Sequence, residues 1–140
     1  AEKIVSHADR EIRSTPVNFA SDILLLAGDC DVVGIDEAQF FDETIADVCN
    51  GLANSGKRVI VAGLDMDFEG KPFGPMPNLL AIAEFVTKVH AICAQTGELA
   101  SFSFRLSGDK TQVVLGEKDE YEARCRSAYF KGMRDGENKQ

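Results

Sequence analysis

Two short apolar runs constrain this chain more than anything else in it. They are Asp31-Val32-Val33-Gly34-Ile35-Asp36 and Arg58-Val59-Ile60-Val61-Ala62-Gly63-Leu64-Asp65. A strand wetted on one face alternates polar and apolar residues, whereas these runs do not alternate, so each reads as a strand covered on both faces. Between them, Asp42–Asn54 sets Ile45, Val48, Cys49, Leu52 and Ala53 at helical spacing. Asp42 caps that helix, Glu43 sits in its first turn and Gly56 ends it. Strand, helix and strand in this order make a βαβ unit, which predicts parallel pairing with a right-handed crossover. The fold class is therefore α/β.

The remaining punctuation extends that plan. Glu11–Asn18 reads as a short edge strand because Pro16 lacks an N–H to donate. Phe19–Ala27 reads as a helix with Ser21 or Asp22 as cap and Gly28 as stop. Met66–Pro77 is too rich in Gly and Pro to be regular. Pro77 suits the first turn of a helix continuing over Asn78–Glu84, and Phe85–Ile92 reads as a further strand. After Cys93 the texture changes. Thr96-Gly97, Ser107-Gly108-Asp109 and Gly116-Glu117 punctuate short strands at Ser101–Leu106 and Thr111–Leu115. The expected organisation is a core over 1–92, a small antiparallel annex over 93–134 and a polar, frayed tail over 135–140. The opening Ala1-Glu2-Lys3 has no initiator Met and does not read as the start of a fold, so a chain whose beginning is absent is expected.

Charge and cysteine content exclude several classes. The 140 residues carry 15 Lys plus Arg against 23 Asp plus Glu, a net charge of −8. That balance disfavours non-specific binding to nucleic acid or anionic lipid. Neither Ile23–Ala27 nor Leu79–Ala83 approaches the roughly 20 apolar residues of a membrane helix. Four cysteines are too few for a disulfide scaffold, and a reducing cytoplasm is the expected compartment.

The candidate chemistry lies at the carboxyl ends of the two buried strands, where open α/β sheets bind ligands. Asp36 is placed to hold hydrated magnesium in a phosphate crevice, and Glu37, facing elsewhere, can take a proton from a hydroxyl nucleophile. Two solvated acids at a strand end are the plain alternative. Asp65 and Asp67 follow the neighbouring strand and strengthen the crevice reading, against a solvated loop. Phe40, Phe41, Phe68 and Phe73 follow the two acid pairs; they can form a slot for a flat ring or pack under their own loops. A zinc knuckle would need a second ligand three residues after Cys93 and Cys125, but those positions hold Thr96 and Ala128, so zinc is not expected. No G-x-x-x-x-G-K-[ST] loop and no Ser-His-Asp arrangement occurs in the chain.

Taken in order, Val33-Gly34-Ile35-Asp36-Glu37-Ala38-Gln39-Phe40-Phe41, Val59 to Asp65, Lys71-Pro72-Phe73-Gly74, Phe104-Arg105-Leu106 and Gly116 to Glu122 resemble the type II thymidine kinase family. The resemblance runs from about Val5 to about Met133. It implies a P-loop NTPase-like parallel sheet with helices, its N-terminal part missing, followed by an annex bearing a substrate lasso. It implies transfer of the ATP γ-phosphate to the 5′-hydroxyl of thymidine with magnesium, in nucleoside salvage for DNA synthesis. By resemblance Glu37 is the general base, Asp36 stands on the magnesium side, and Asp36, Glu37, Ala38 and Gln39 line the nucleotide side. Phe40, Leu64, Phe68 and Phe73 correspond to the thymidine pocket wall, Ser103 stands near the base, and Val114, Gly116 and Tyr121 belong to the lasso. A homotetramer with feedback inhibition by thymidine triphosphate is implied as well. The family's four-ligand zinc site keeps only Cys93 and Cys125. Because the phosphate-cradling loop is absent, the 140 residues alone are expected not to turn over ATP. Two readings of other classes are a nucleoside- or nucleotide-binding module that does not transfer, and an ATPase with no need of thymidine.

Overall fold

The computed structural model describes residues 2–5, 11–106 and 120–137, with backbone alone at 2–5, 11 and 137. Glu2–Val5 (β1) and Glu11–Ser14 (β2) form an antiparallel pair in which Ile4 faces Ile12 in register. The opening residues are thus an element after all. Four residues of mixed charge carry little signal alone, and the pairing supplies what the local sequence lacks. β2 stops at Ser14, ahead of Pro16, rather than reaching Asn18.

Helix α1 spans Ala20–Leu26 and buries Ala20 and Ile23. Neither Ser21 nor Asp22 caps it. Phe19 stands at the cap position without a side-chain bond, and Asp22 lies in the first turn, where its charge favours the helix dipole. Beyond its end, the Lys57 ammonium donates to the carbonyls of Gly28 at 2.9 Å and Cys30 at 2.6 Å. That bond draws the turn before the next strand towards the start of its partner.

The strand–helix–strand order and the parallel pairing form as predicted, but neither strand is covered on both faces: Val32 and Ile60 are more than half exposed, because β3 and β4 stand as a pair among the described residues. Val32–Ile35 (β3) and Arg58–Val61 (β4) are parallel, with Val32 facing Arg58 and Ile35 facing Val61, and helix α2 (Thr44–Asn54) connects them. Pairing continues past both strand ends. The Ala62 amide donates to the Ile35 carbonyl at 2.9 Å, and the Ala38 amide donates to the Ala62 carbonyl at 3.0 Å. Asp42 accepts the Thr44 amide at 3.0 Å ahead of α2. The predicted face of α2 is buried at Ile45, Val48, Cys49 and Leu52, packed with Ile23, Ile35, Met76 and Leu79. Each large side chain of this kind contributes about 1.5–3 kcal/mol by leaving water.

Helix α3 covers Met76–Ile82, two residues earlier than the expected Asn78–Glu84, with Pro77 in its first turn. It is tied to the start of α2 by Asn78, which donates to Glu43 at 2.7 Å. The expected strand Phe85–Ile92 is largely not one. Only Ala91–Ile92 (β5) pairs, antiparallel to Leu99–Ala100 (β6). Phe85 is 87% exposed and Val89 90% exposed. The apolar composition gives strand propensity, but a strand exists only in a ladder, and among the described residues none runs beside 83–90.

The annex pairs Phe102–Arg105 (β7) antiparallel with Tyr121–Arg124 (β8) and ends in helix α4 (Arg126–Glu137). The expected strand Thr111–Leu115 lies outside the described residues. Helix α4 has no counterpart in the sequence reading, and it takes in Asp135 and Gly136 of the expected tail. Tyr129, 1% exposed, stacks on Phe102 with centroids 4.6 Å apart and donates from its hydroxyl to the Phe68 carbonyl at 2.7 Å. This bond joins the annex to the loop after β4. The whole is a mixed α/β architecture of one parallel and three antiparallel pairs among the described residues. No described helix is long and apolar enough to cross a membrane.

Candidate functional site

The chain turns sharply where β3 ends. Glu37 adopts φ 51°, the one positive φ at a non-glycine among the described residues. A left-handed backbone at such a residue costs about 1–3 kcal/mol and persists where its surroundings over-determine it. Here the surroundings are visible. Asp36 accepts the Glu37 amide at 2.9 Å, and the Glu37 carboxylate accepts a short hydrogen bond from the Gln39 carboxamide. Gln39 is 3% exposed, and its oxygen accepts the Leu64 amide at 3.1 Å. Asp36 and Glu37 stay exposed. Both line a cleft of about 700 Å³ bounded by β3, α1 and the Arg13–Asn18 segment, with Phe40 and Phe41 on the same wall. Ala38 is wholly buried. Of the four residues from Asp36 to Gln39, therefore, only the first two offer side chains to a ligand.

The loop after β4 is held by its own amides. Asp67 accepts the amides of Glu69 at 2.9 Å and Lys71 at 3.0 Å, and the Asp65 carbonyl accepts the Phe73 amide at 2.9 Å. The Asp65 carboxylate pairs with Lys88 at 3.1 Å. Asp67 thus serves the loop itself and Asp65 is paired with Lys88, so the two do not present free carboxylates beside the first pair. Gly74, at φ 46°, closes the loop against the turn after β3. A Cβ there would stand 2.6 Å from the Gln39 carbonyl.

Two of the phenylalanines meet each other here, and a third meets a tyrosine. Phe40, 73% exposed, meets Phe73 edge-on at 5.6 Å, while Phe41 and Phe73 pack against the core. Phe68 faces Tyr121 at 6.5 Å, and the Arg105 guanidinium lies 5.2 Å from the Phe68 ring. Leu64, half exposed, sits in the loop between them. Ser103 lies on β7 opposite Ala123, partly buried. Val114 and Gly116 lie outside the described residues. The structure thus gathers Phe40, Leu64, Phe68, Phe73 and Tyr121 onto and around one loop. The sequence reading missed Arg105 and Tyr129 as parts of this assembly. The one available signal for Tyr129 was its position among Ala128 and Phe130 in a stretch with enough apolar residues for one helix face.

A thymidine kinase family model matches residues 1–129. The chain is 58% identical over 130 residues to a thymidine kinase of Bacteroides thetaiotaomicron, covering 93% of this chain and 65% of that protein. It is 56% identical over 136 residues to one of Bacteroides fragilis, covering 97% and 68%. It is 59% identical over 126 residues to one of Rhodothermus sp., covering 90% and 59%. The chain belongs to the thymidine kinase family. It spans between 59% and 68% of the length of these relatives.

Family membership raises the question of zinc, and the residues do not fit it. Cys93 and Cys125 are buried in one small cluster with Ala100 and Ala128. The partner positions are Thr96, whose hydroxyl lies 3.5 Å from the Cys125 sulfur, and the methyl of Ala128. A structural zinc site takes four Cys or His ligands, and among the described residues no three of His, Cys, Asp and Glu come together. The cluster instead surrounds the Cys93 thiol with hydrogen-bond donors. Burial pushes the Cys93 thiol up, but the Thr96 hydroxyl and the amides of Cys125, Gln95 and Thr96 outweigh it and bring the thiol from 9.0 down to about 6. The donor type suits magnesium better than zinc, since Asp36 and Glu37 are exposed oxygen donors at the edge of a cleft.

Proposed function

We propose that the chain carries the acceptor side of a thymidine kinase that moves the γ-phosphate of ATP to the 5′-hydroxyl of thymidine. The observation that carries this reading is Glu37, its backbone amide held by Asp36 and its carboxylate by Gln39, in a left-handed turn at a strand end of a chain of this family.

Glu37 accepts the proton of the 5′-hydroxyl as that oxygen attacks phosphorus. Asp36 would hold hydrated magnesium on the side of the donor nucleotide. Bound magnesium neutralises charge on the phosphate oxygens. Phosphoryl transfer demands positioning more than covalent chemistry, so a carboxylate fixed at its backbone and at one oxygen is well suited to it. Phe40, Leu64, Phe68 and Phe73 wall the base and sugar, with Ser103 near the base. By family resemblance, Val114, Gly116 and Tyr121 would contribute to recognition of thymine. Feedback by thymidine triphosphate and a tetramer are part of the same reading.

A polypeptide of these 140 residues alone is expected not to turn over ATP, because no G-x-x-x-x-G-K-[ST] loop occurs in it. Thymidine-dependent ADP release from material of verified mass 15.2 kDa would contradict that. The kinase reading itself is tested on the longest form of the chain that its gene encodes. Thymidine monophosphate should accumulate with Mg-ATP, and its absence counts against the reading.

A further inference from the structure

The most unusual buried group in the molecule is Gln39. It is the one polar or charged residue that is buried among those described. Its carboxamide is satisfied at both ends by groups from different loops. The nitrogen side donates to the Glu37 carboxylate and the oxygen side accepts the Leu64 amide at 3.1 Å. The orientation is fixed by chemistry, because a carboxylate can only accept and a backbone amide can only donate. No other side chain of this length does both. A glutamate would serve Leu64 but set a carboxylate against Glu37, and a methionine would serve neither.

The neighbours are shaped around this group. Gly63 has no Cβ, and one placed there would stand 2.9 Å from the carboxamide oxygen. The Ala38 amide bonds the Ala62 carbonyl, so the two loops are already joined at the backbone one step behind. Gln39 joins them again at the front, between the carboxylate assigned to proton transfer and the residue that opens the pocket-wall loop.

We infer that Gln39 is a positioning residue that locks the Glu37 carboxylate to the Leu64 loop, setting the base against the nucleoside pocket without touching a ligand itself. The inference deepens the kinase reading and rests on Glu37 being the base. A buried carboxamide with both ends paired transmits the position of one loop to the other, and a misplacement of about 1 Å costs on the order of 10²-fold in turnover.

The test compares Gln39→Met and Gln39→Glu with wild type in the longest encoded form of the chain. Both variants should lose kcat on the order of 10-fold to 100-fold, with the KM for thymidine within about threefold. Hydrogen exchange at the Leu64 amide should quicken in Gln39→Met and stay slow in Gln39→Glu, which keeps the acceptor. A kcat within twofold of wild type in both variants overturns the inference, as does equal Leu64 exchange in both. If neither variant folds, Glu37→Ala decides. Loss of the carboxylate should speed exchange of the Gln39 side-chain amide protons, and unchanged exchange overturns the lock. A wild type that does not phosphorylate thymidine overturns the kinase reading instead, while the exchange data still report whether the lock exists.

Discussion

The proposed function assigns the proton transfer to a single side chain, Glu37. Its backbone strain, its bond to Gln39 and its exposure to the cleft agree with a group that must be both fixed and reachable. Glu37→Gln keeps the shape and removes the proton acceptor. Turnover should fall on the order of 10²–10⁴-fold while thymidine binding, measured by calorimetry, persists. Unchanged turnover would assign the base elsewhere. A second residue-scale prediction concerns Cys93. Its thiol falls from 9.0 to about 6 in the folded chain. A group depressed by folding adds stability above its unfolded value, and the gain fades as pH falls towards the folded one. The wild type should therefore gain stability between pH 6 and pH 9 under reducing conditions by a margin that Cys93→Ser lacks. Parallel pH dependence of the two unfolding midpoints would contradict this. Asp36 and Glu37 were legible from the sequence because a strand-end acid pair follows directly after an apolar run, although that run proves exposed at Val32. The role of Gln39 was not, because whether a polar side chain after a strand is buried depends on a loop 25 residues away in sequence.

Among the elements, the loop from Asp65 to Gly74 connects the core to the annex. It is fastened to the core through Gly74 and Leu64 and to α4 through Tyr129. Burial pushes the Tyr129 hydroxyl up, with help from Asp67 and Glu69, so it stays a donor across the physiological range. Tyr129→Phe keeps the ring stack on Phe102 and removes only the bond to the Phe68 carbonyl. It should cost about 1 kcal/mol in denaturant unfolding and weaken thymidine binding, because Phe68 loses its anchor. Full thymidine affinity in that variant would show that the loop does not depend on α4. The βαβ unit was readable because both strands and the helix carry their own periodicity. Helix α4 was not, because charged residues dilute its apolar face. The run Phe85–Ile92 misled for the opposite reason, as its strand composition outweighed the need for a ladder partner.

For the molecule as a whole, the proposed kinase function would draw on both the βαβ region and the β7–β8–α4 region. The strand ends of the core hold the acids at a cleft, and the annex brings Tyr121 against Phe68 beside the pocket-wall loop. If the proposed aromatic and aliphatic wall binds the base, it would distinguish thymine from uracil by one methyl group, worth on the order of 1–3 kcal/mol. Deoxyuridine should therefore be a substrate with kcat/KM lower by about 10-fold to 200-fold, and equal use of the two would contradict the pocket assignment. The most direct test of the central claim is ADP formation from Mg-ATP by the longest encoded form of the chain, with and without thymidine. The account predicts ADP that depends on thymidine and matches the thymidine monophosphate formed one for one. ADP released equally without thymidine, or none released with it, would contradict the account.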